Sequence, residues 1–501
     1  MPFENTSGAP GLEWISESFP AVLHQRLNSP MVFVVSRDDR LRAYDRAGIP
    51  VQVHPSRATV YRIAEQMGVD YVVLGRYNFD GRVFSCQAQL LDMRGPKLLP
   101  EVSETGTLPQ LINLQTALSW DLLHSARPDF ATSKQAFVNA APLIRLDAFE
   151  NYVRGVIAQS TADRVNHLRE AVRLNPAYPE AWLELGKAYY SQRQYEQAYA
   201  AFGQVPASDS EAREANFYRG LSAYYLGDFA KAETAFAFVA ARLPLSEVFN
   251  NLGVVSSRLG QRNAADYFEK AVQGDPNDPD YRFNLAVALY RNGDQAGAAR
   301  ELKQCLALRG FDAEAHTFSE GIAAKATSQP ASGTTSLLHP PLERIKRNYD
   351  ESTFEQLNIG LQAAAEQRLA HADPAAHARF HLNRGNELLA KGFVAEAEKE
   401  FQESMQMMPN NPGAHSALAR AYEVDSRFAE SRAEAEESIR QKPSADAFLL
   451  LAGLDLRENK NESAAESIER ALQLEPSNPT ALAMKRTVAA KLAEKAQPLP
   501  N

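Results

Sequence analysis

The repeated spacing of small residues is the feature that most constrains how this chain can fold. Equivalent positions recur at intervals of 31 to 34 residues in two sets, namely Gly155, Gly186, Gly220, Gly253 and Ala286, and then Gly385, Ala419 and Ala452. This interval is the length of a unit of two helices joined by a turn. Neither helix of such a unit buries its apolar face alone, so at least ~3 units must stack. The spacing therefore predicts two stacked arrays of helix pairs.

The other residues of each repeat support this interpretation. Trp182 lies four residues before Gly186, Ala198 twelve after it and Phe202 sixteen after it. A proline, which cannot donate the next backbone hydrogen bond, follows the second helix of several repeats, at Pro176, Pro276, Pro409, Pro443 and Pro476. This order resembles the tetratricopeptide repeat family. The resemblance implies an all-α superhelix, with about five repeats and a cap helix over residues 141–324 and about three repeats and a cap helix over residues 376–497.

The first 130 residues have a different pattern, with segments of alternating and β-branched residues. These predict strands at Met31–Ser36, Asp70–Asn78 and Arg82–Met93, and amphipathic helices near Trp14–Leu27, Ala58–Met67 and Leu108–Ser125. The pair Asp80-Gly81 between the last two strands indicates a hairpin turn. We therefore expect an α+β chain, in which a small α/β domain over residues 1–130 precedes the helical arrays.

Several motifs of this domain carry a second resemblance. They are Pro2-Phe3-Glu4-Asn5-Thr6-Ser7-Gly8, Leu12-Glu13-Trp14-Ile15, Val35-Ser36-Arg37, the segment from Met67 to Gly75, and the segment from Gln87 to Asp92. They look like the α/β domain family of the amino-terminal part of the Tol-Pal translocation protein B and its flagellar outer-membrane relatives. In that family a strand precedes the proline-phenylalanine motif, often behind a signal peptide. The resemblance therefore implies either that the first strand is missing from the chain as given or that the natural start lies upstream, and it favours the periplasm or cell envelope. The chain as given shows no signal peptide.

The two predicted arrays are separated by residues that do not follow the repeat. Residues 325–340 are mostly small and polar, with proline and glycine, which predicts a linker. Residues 341–375 carry the cations Arg344, Lys346 and Arg347 and a helix predicted to start near Ser352, and they are expected to form a helical insert without an assigned role.

Composition excludes several classes of protein. The 53 basic and 62 acidic side chains give a formal net charge of −9, the wrong sign for a broad nucleic-acid surface. The sequence has no apolar run of the ~18 residues that a membrane helix requires, so no membrane insertion is expected. Cys86 and Cys305 fall in different predicted domains, and we expect both to be buried apolar groups. The sequence leaves the oligomeric state open.

Motifs for chemistry are missing from the sequence. It has no phosphate-binding glycine loop, no Gly-x-Ser-x-Gly, no His-Glu-x-x-His and no paired Cys-x-x-Cys. The best metal candidate is the group of His371, Asp373, His377 and His381, but His381 occupies the repeat position of Trp182, where a side chain packs in the core. We therefore expect no catalytic residue, no cofactor site and no metal site, and predict that the protein is not an enzyme.

A binding groove is the better prospect, because the first helices of stacked repeats line a concave surface. The repeat register places on it Leu183, Lys187, Tyr190, Phe217, Leu221, Tyr224, Tyr225, Asn250, Val254, Arg258, Phe283, Val287, Tyr290 and Arg291. Tyrosine and arginine often dominate interface energies, so this surface suits an extended or helical peptide with apolar anchors and some acidic character. The alternative is that individual aromatic residues only pack between repeats.

Two functions agree with these patterns. The first is a scaffold or adaptor that binds a partner polypeptide in the groove, in a bacterial cell-envelope assembly if the second resemblance holds. The alternative is a sensor, whose α/β domain binds a small ligand and whose repeats relay its state. A ligand domain needs convergent polar groups, and the cluster available is Arg37, Asp38, Asp39, Arg40 and Arg76.

Overall fold

The structure, a computed structural model, describes residues 1–50, 55–327, 339–351 and 373–496. The chain divides into two compact units. The first unit combines Met1–Leu143 with Glu355–Asn501, and the second unit is Ile144–Phe354. The described part of the chain is mostly helical, and its strands belong to a small sheet near the amino terminus. The expected fold class, a small α/β domain with arrays of paired helices, is confirmed.

The sheet is built around one long hairpin. Its strands are β1 (Glu4–Asn5), β2 (Tyr71–Phe79), β3 (Phe84–Asp92), β4 (Lys97–Leu98) and β5 (Val102–Gly106). β1 is parallel to β2, whereas β3 pairs antiparallel with β2, β4 and β5. The predicted turn is confirmed, since Gly81 has a φ of 95° and Asp80 Oδ1 accepts from the backbone N–H groups of Arg82 and Val83.

Five helices accompany the sheet: α1 (Ile15–Leu27), α2 (Arg37–Arg46), α3 (Arg57–Met67), α4 (Leu111–Ala126) and α5 (Lys134–Asn139). The predictions for α1, α3, α4, β2 and β3 are confirmed. The strand predicted at Met31–Ser36 is wrong. The Val34 N–H donates to Asn28 Oδ1 (3.0 Å) and its carbonyl lies 3.1 Å from His24 Nδ1, so side chains of α1 and the residue after it take the place of a neighbouring strand.

Close packing of Phe3 on Gly75 explains why phenylalanine and glycine occur in two of the amino-terminal motifs, the one that begins at Pro2 and the one that ends at Gly75. Phe3 is fully buried and stacks on Phe19 of α1, with ring centroids 3.9 Å apart. A Cβ at Gly75 of β2 would lie 2.3 Å from the Phe3 ring, closer than any real contact. The aromatic residue before β1 therefore requires a glycine in the adjacent strand.

The second unit holds the first array. Its helices are α6 (Leu146–Ile157), α7 (Thr161–Leu174), α8 (Pro179–Ser191), α9 (Tyr195–Phe202), α10 (Ala212–Tyr225), α11 (Phe229–Ala240), α12 (Ser246–Arg258), α13 (Ala264–Gly274), α14 (Pro279–Arg291), α15 (Gln295–Leu308) and α16 (Ala313–Thr327). The second array, in the first unit, contains α17 (Pro374–Lys391), α18 (Val394–Met407), α19 (Pro412–Val424), α20 (Phe428–Gln441), α21 (Ala445–Arg457), α22 (Asn461–Leu474) and α23 (Pro479–Ala496).

In several repeats the small reference residue matches the side chain that crosses it. Where the second helix supplies phenylalanine, the first helix has glycine, as in the pairs Gly186–Phe202 and Gly385–Phe401. In the repeat of Ala286 the residue sixteen positions later is the smaller Leu302. In these repeats the larger crossing side chain accompanies the smaller reference residue, as close packing requires.

Gly385→Ala is expected to lower the free energy of unfolding of the first unit by about 1–3 kcal/mol. The added Cβ would lie 2.5 Å from the buried Phe401 ring. Gly453→Ala is the matched control, because Gly453 lies within α21 with nothing within 4 Å of its Cβ position. That control should raise stability by up to about 1 kcal/mol through helix propensity. Urea unfolding measures both, and equal effects would contradict this account.

Within the first unit, the amino-terminal domain packs on the second array. Phe393, which precedes α18, is fully buried between Phe130 and Phe137, with ring centroids 5.3 and 5.8 Å away. The Glu396 carboxylate accepts from the Ala131 N–H (2.9 Å) and the Thr132 hydroxyl (2.6 Å). Residues far apart in sequence thus form one continuous core.

Candidate functional site

Residues 339–351 of the second unit lie against the first helices of the last repeats in the first array. We call them the strap. They form neither helix nor strand and contact α10, α12, α14 and the start of α16. The groove predicted from the repeat register is thus occupied by a segment of the same chain.

Asparagine side chains hold the backbone of the strap. Asn284 donates to the Arg344 carbonyl and accepts from the Arg344 N–H, both at 2.7 Å. Asn251 does the same with Lys346, at 2.8 Å in both directions. Asn250 donates a second bond to the Arg344 carbonyl at 2.9 Å, and all three asparagines are fully buried. These bonds fix the register of an extended backbone without depending on its side chains.

The cations at positions 344 and 346 of the strap face acidic residues. Arg344 binds Asp312 (2.6 and 2.8 Å), Asp280 (3.0 Å) and Glu314 (2.9 Å), and its guanidinium lies 3.7 Å from the centre of the Phe283 ring. Lys346 donates to Asp280 and to Asp278, the N-cap residue of α14. The carboxylates lie at the amino ends of α14 and α16, where the helix dipole also favours negative charge.

The side chains at positions 343 and 345 of the strap point away from these acidic residues. The Glu343 side chain is fully buried and contacts Arg291, Arg258 (3.4 Å) and the Ser257 hydroxyl. Both arginines are in the last turns of their helices, α14 and α12, where cations complement the helix dipole. Ile345 packs with the apolar cluster around Val254. The groove is therefore acidic on one side and basic on the other.

Asp280 and Asp312 remain ionised in this arrangement. Burial opposes ionisation of Asp280, but hydrogen bonds from Lys346 and Arg309 outweigh it and hold its pKa well below the ordinary 3.8. Arg344 lowers the pKa of Asp312 by donating to it. Because both folded pKa values are lowered, the stabilisation from these groups is fully present above about pH 4 and is lost as the pH falls through the folded values. These two ion pairs are therefore not a switch near neutral pH.

The strap ends in an aromatic and an acidic contact. The Tyr349 ring lies 5.2 Å from that of Phe217, and burial together with the nearby Glu351 carboxylate raises the pKa of Tyr349 above its ordinary value of 10. Glu351 pairs with Arg213 of α10. The contacts of the strap thus extend from Pro341, whose carbonyl accepts from Arg291 at 3.1 Å, to Glu351.

The structure brings some of the predicted groove residues to the strap and leaves others in the array. Those that contact the strap or share an apolar cluster with it are Tyr190, Phe217, Leu221, Tyr224, Tyr225, Asn250, Val254, Arg258, Phe283 and Arg291. Leu183 and Val287 are buried in the array, and Tyr290 packs on Phe318. Lys187 pairs with Glu184 (3.1 Å) and Glu214 (2.7 Å).

The repeat register predicted Asn250 but not the other two asparagines that hold the strap backbone, Asn251 and Asn284. Asn251 and Asn284 occupy the same register position in consecutive repeats, two residues before Gly253 and Ala286. That position is buried in both repeats, and a buried amide requires a hydrogen-bond partner. Repetition of asparagine at a core position was therefore the signal available in the sequence.

The polar cluster of the amino-terminal domain and the histidine group, which were the other candidates from the sequence, do not converge on a site among the described residues. Arg37 and Arg40 both pair with Glu17, while Arg76 binds Gln87 and Glu101 elsewhere on the domain. His381 is buried with its Nδ1 2.8 Å from Glu400, and His371 lies outside the described residues, as does the helix predicted from Ser352.

No group of three or more histidine, cysteine, aspartate or glutamate side chains among the described residues could hold a metal ion. None of the helices in the part of the chain that the structure describes is long and apolar enough to cross a membrane. Cys86 and Cys305 are buried free thiols, which confirms the prediction for both.

Comparison with known proteins agrees with the repeat geometry. Family models described as tetratricopeptide repeat match residues 161–216, 262–313, 382–446 and 416–479. No curated protein matches the chain.

Several solved structures resemble parts of the chain. The first tetratricopeptide repeat domain of RPAP3 bound to an HSP90 peptide is 26% identical, covers 24% of this chain and 95% of its own, and has a TM-score of 0.23. MamA from Desulfovibrio magneticus is 20% identical over 36% of this chain and 100% of its own, with a TM-score of 0.30. A tetratricopeptide repeat protein from Parabacteroides merdae is 11% identical over 62% of this chain and 98% of its own, with a TM-score of 0.26. The matched segments and the paired helices together identify both arrays of this chain as tetratricopeptide repeats, a repeat that generally mediates protein–protein interactions.

Proposed function

We propose that this protein is a non-enzymatic scaffold whose first array binds an extended polypeptide in its concave groove. The observation that carries the proposal is the set of bonds from Asn250, Asn251 and Asn284 to the backbone of the strap. Backbone recognition supplies affinity for any extended chain, and the side-chain pockets beside it supply specificity. Tetratricopeptide repeat proteins are typically scaffolds without catalytic activity, which supports the non-enzymatic assignment.

The test uses a full-length chain in which residues 341–351 are replaced by alternating glycine and serine, here called the strap-free chain. A fluorescent synthetic peptide of residues 339–351 is added, and its anisotropy is followed as the protein concentration rises. Saturable binding is expected. If the strap-free chain keeps its helical circular dichroism and does not bind the peptide, the groove is not a polypeptide site.

Replacing Asn251 and Asn284 with alanine in the strap-free chain should weaken peptide binding at least roughly 30-fold. Each asparagine contributes a pair of buried hydrogen bonds to the peptide backbone, each bond contributing about 0.5–1.5 kcal/mol. Asn383→Ala is the matched control, because Asn383 holds the equivalent register position in the second array and is exposed. Equal affinity in all three chains would contradict backbone recognition by these asparagines.

The place of this scaffold in the cell is a separate part of the proposal. The resemblance of residues 1–130 to envelope domains supports a role in a bacterial envelope assembly. Fractionation of cells that carry the protein from its natural gene, followed by immunoblotting, tests this part, and recovery only in the cytoplasmic fraction would contradict it. The strap contacts support the groove independently of that outcome.

A further inference from the structure

We propose that the strap is an internal ligand of the first array, and that it occupies the site at which a partner segment with the same order of side chains binds. The order is acidic, basic, aliphatic, basic, and then tyrosine three residues later, as in Glu343-Arg344-Ile345-Lys346 and Tyr349. The partner must displace the strap to bind. This inference rests on the proposed function, because it names the chemistry of the polypeptide that the groove accepts.

The order of charges follows from the geometry of an extended chain. Successive side chains of such a chain point in opposite directions. Arg344 and Lys346 therefore face the acidic side of the groove, and Glu343 faces the basic side. The acidic side groups lie at the amino ends of the lining helices and the basic groups at their carboxyl ends, so the polarity belongs to the array and not to the strap. A partner segment with the opposite order would place like charges together at each position.

The strap is held mainly by polar groups, which makes exchange with a partner feasible. Ile345 and Tyr349 are its apolar contacts with the main cluster of the array, and the bonds to the asparagines can be made by any extended backbone. Arg347, by contrast, is exposed and lies 5.7 Å from the centre of the Tyr225 ring. A partner segment with the same order of side chains can therefore make most of the contacts that the strap makes.

Covalent attachment determines how strongly the strap competes. Eleven residues, 328–338, connect it in sequence to the end of α16. A ligand on a short tether has an effective concentration in the millimolar range. If the isolated peptide binds with a Kd of ~10 μM, occupancy by the strap weakens binding of a free peptide roughly 100-fold. Removal of the strap should restore that affinity.

The experiment titrates the labelled peptide of residues 339–351 into three full-length chains. They are the natural chain, the strap-free chain, and an Arg344→Glu chain whose carboxylate would face Asp280 and Asp312. Both altered chains should bind the peptide at least roughly 30-fold more tightly than the natural chain. Asn348→Glu, which adds a carboxylate at an exposed position of the strap, should bind it as weakly as the natural chain does. The Arg344→Glu chain keeps the test valid if the strap-free chain does not fold.

A second peptide tests the order of charges. Exchange of Glu343 and Arg344 in the synthetic peptide preserves composition and net charge, and should weaken binding to the strap-free chain at least roughly 10-fold. Equal binding of both peptides would overturn the inferred pattern. Equal affinity of the first peptide for the natural and altered chains would overturn the internal-ligand proposal while leaving the groove function intact. If the peptide binds no chain, the proposed function itself fails.

Discussion

Phe393→Ala is expected to lower the free energy of unfolding of the first unit by about 3–5 kcal/mol. The ring is fully buried and fills the space between Phe130 and Phe137 of the amino-terminal domain, so its removal leaves a cavity where the domain meets the second array. Urea unfolding measures the change. Tryptophan fluorescence reports on the first unit alone in a Trp182→Phe background, because the remaining tryptophans, Trp14 and Trp120, belong to that unit.

Phe428→Ala is the matched control for this prediction. Phe428 lies in the same array but is only partly buried, so its loss should cost much less. Hydrogen exchange gives a second readout, since the amides of α5 should lose protection in Phe393→Ala, because Phe137 of that helix packs on the removed ring. A loss of less than 1 kcal/mol, with α5 still protected, would show that this contact does not join the domain to the array.

The sequence was sufficient to predict the arrays because their signals are local. Each repeat carries its own small residue, several add an aromatic residue or a terminal proline within ~34 residues, and every unit repeats the same packing problem. The contact between Thr132 and Glu396 joins residues 264 positions apart, and no periodic pattern marks either of them. The association of the amino-terminal domain with the second array, within one unit, was therefore not predictable from repeat spacing.

The candidate site was predictable in part for the same reason. The repeat register identified the concave face, including Asn250, Arg258 and Arg291, which contact the strap. The register did not identify Asn251, because it assigns that position to the packed core. The hydrogen-bond partner of Asn251, the strap backbone, is not visible in the repeat pattern. The strap itself has no repeat pattern, and its cations became interpretable only when the structure placed Arg344 beside Asp312.

Glu343→Lys in the synthetic strap peptide should weaken binding to the strap-free chain at least roughly 100-fold. The Glu343 side chain is fully buried against Arg258 and Arg291, and a lysine would place a third cation there. Breaking a buried ion pair typically costs 3–5 kcal/mol, and each ~1.4 kcal/mol corresponds to tenfold in Kd. Asn348→Lys is the control, because it adds a cation at an exposed position and should alter Kd less than about threefold. Anisotropy titrations of the three labelled peptides measure the effect.

Reversing the charges on the basic side of the groove tests whether that side selects an acidic residue at one position of the peptide or only attracts negative charge in general. In a strap-free chain with Arg258→Glu and Arg291→Glu, the Glu343→Lys peptide should bind more tightly than the natural peptide, because the lysine now meets two carboxylates. The acidic side of the groove, with Asp280 and Asp312, is unchanged in that chain. If the natural peptide remains the tighter ligand, the basic side of the groove does not select an acidic residue. If the order of affinities reverses, complementary charge at this position determines which polypeptides the groove accepts.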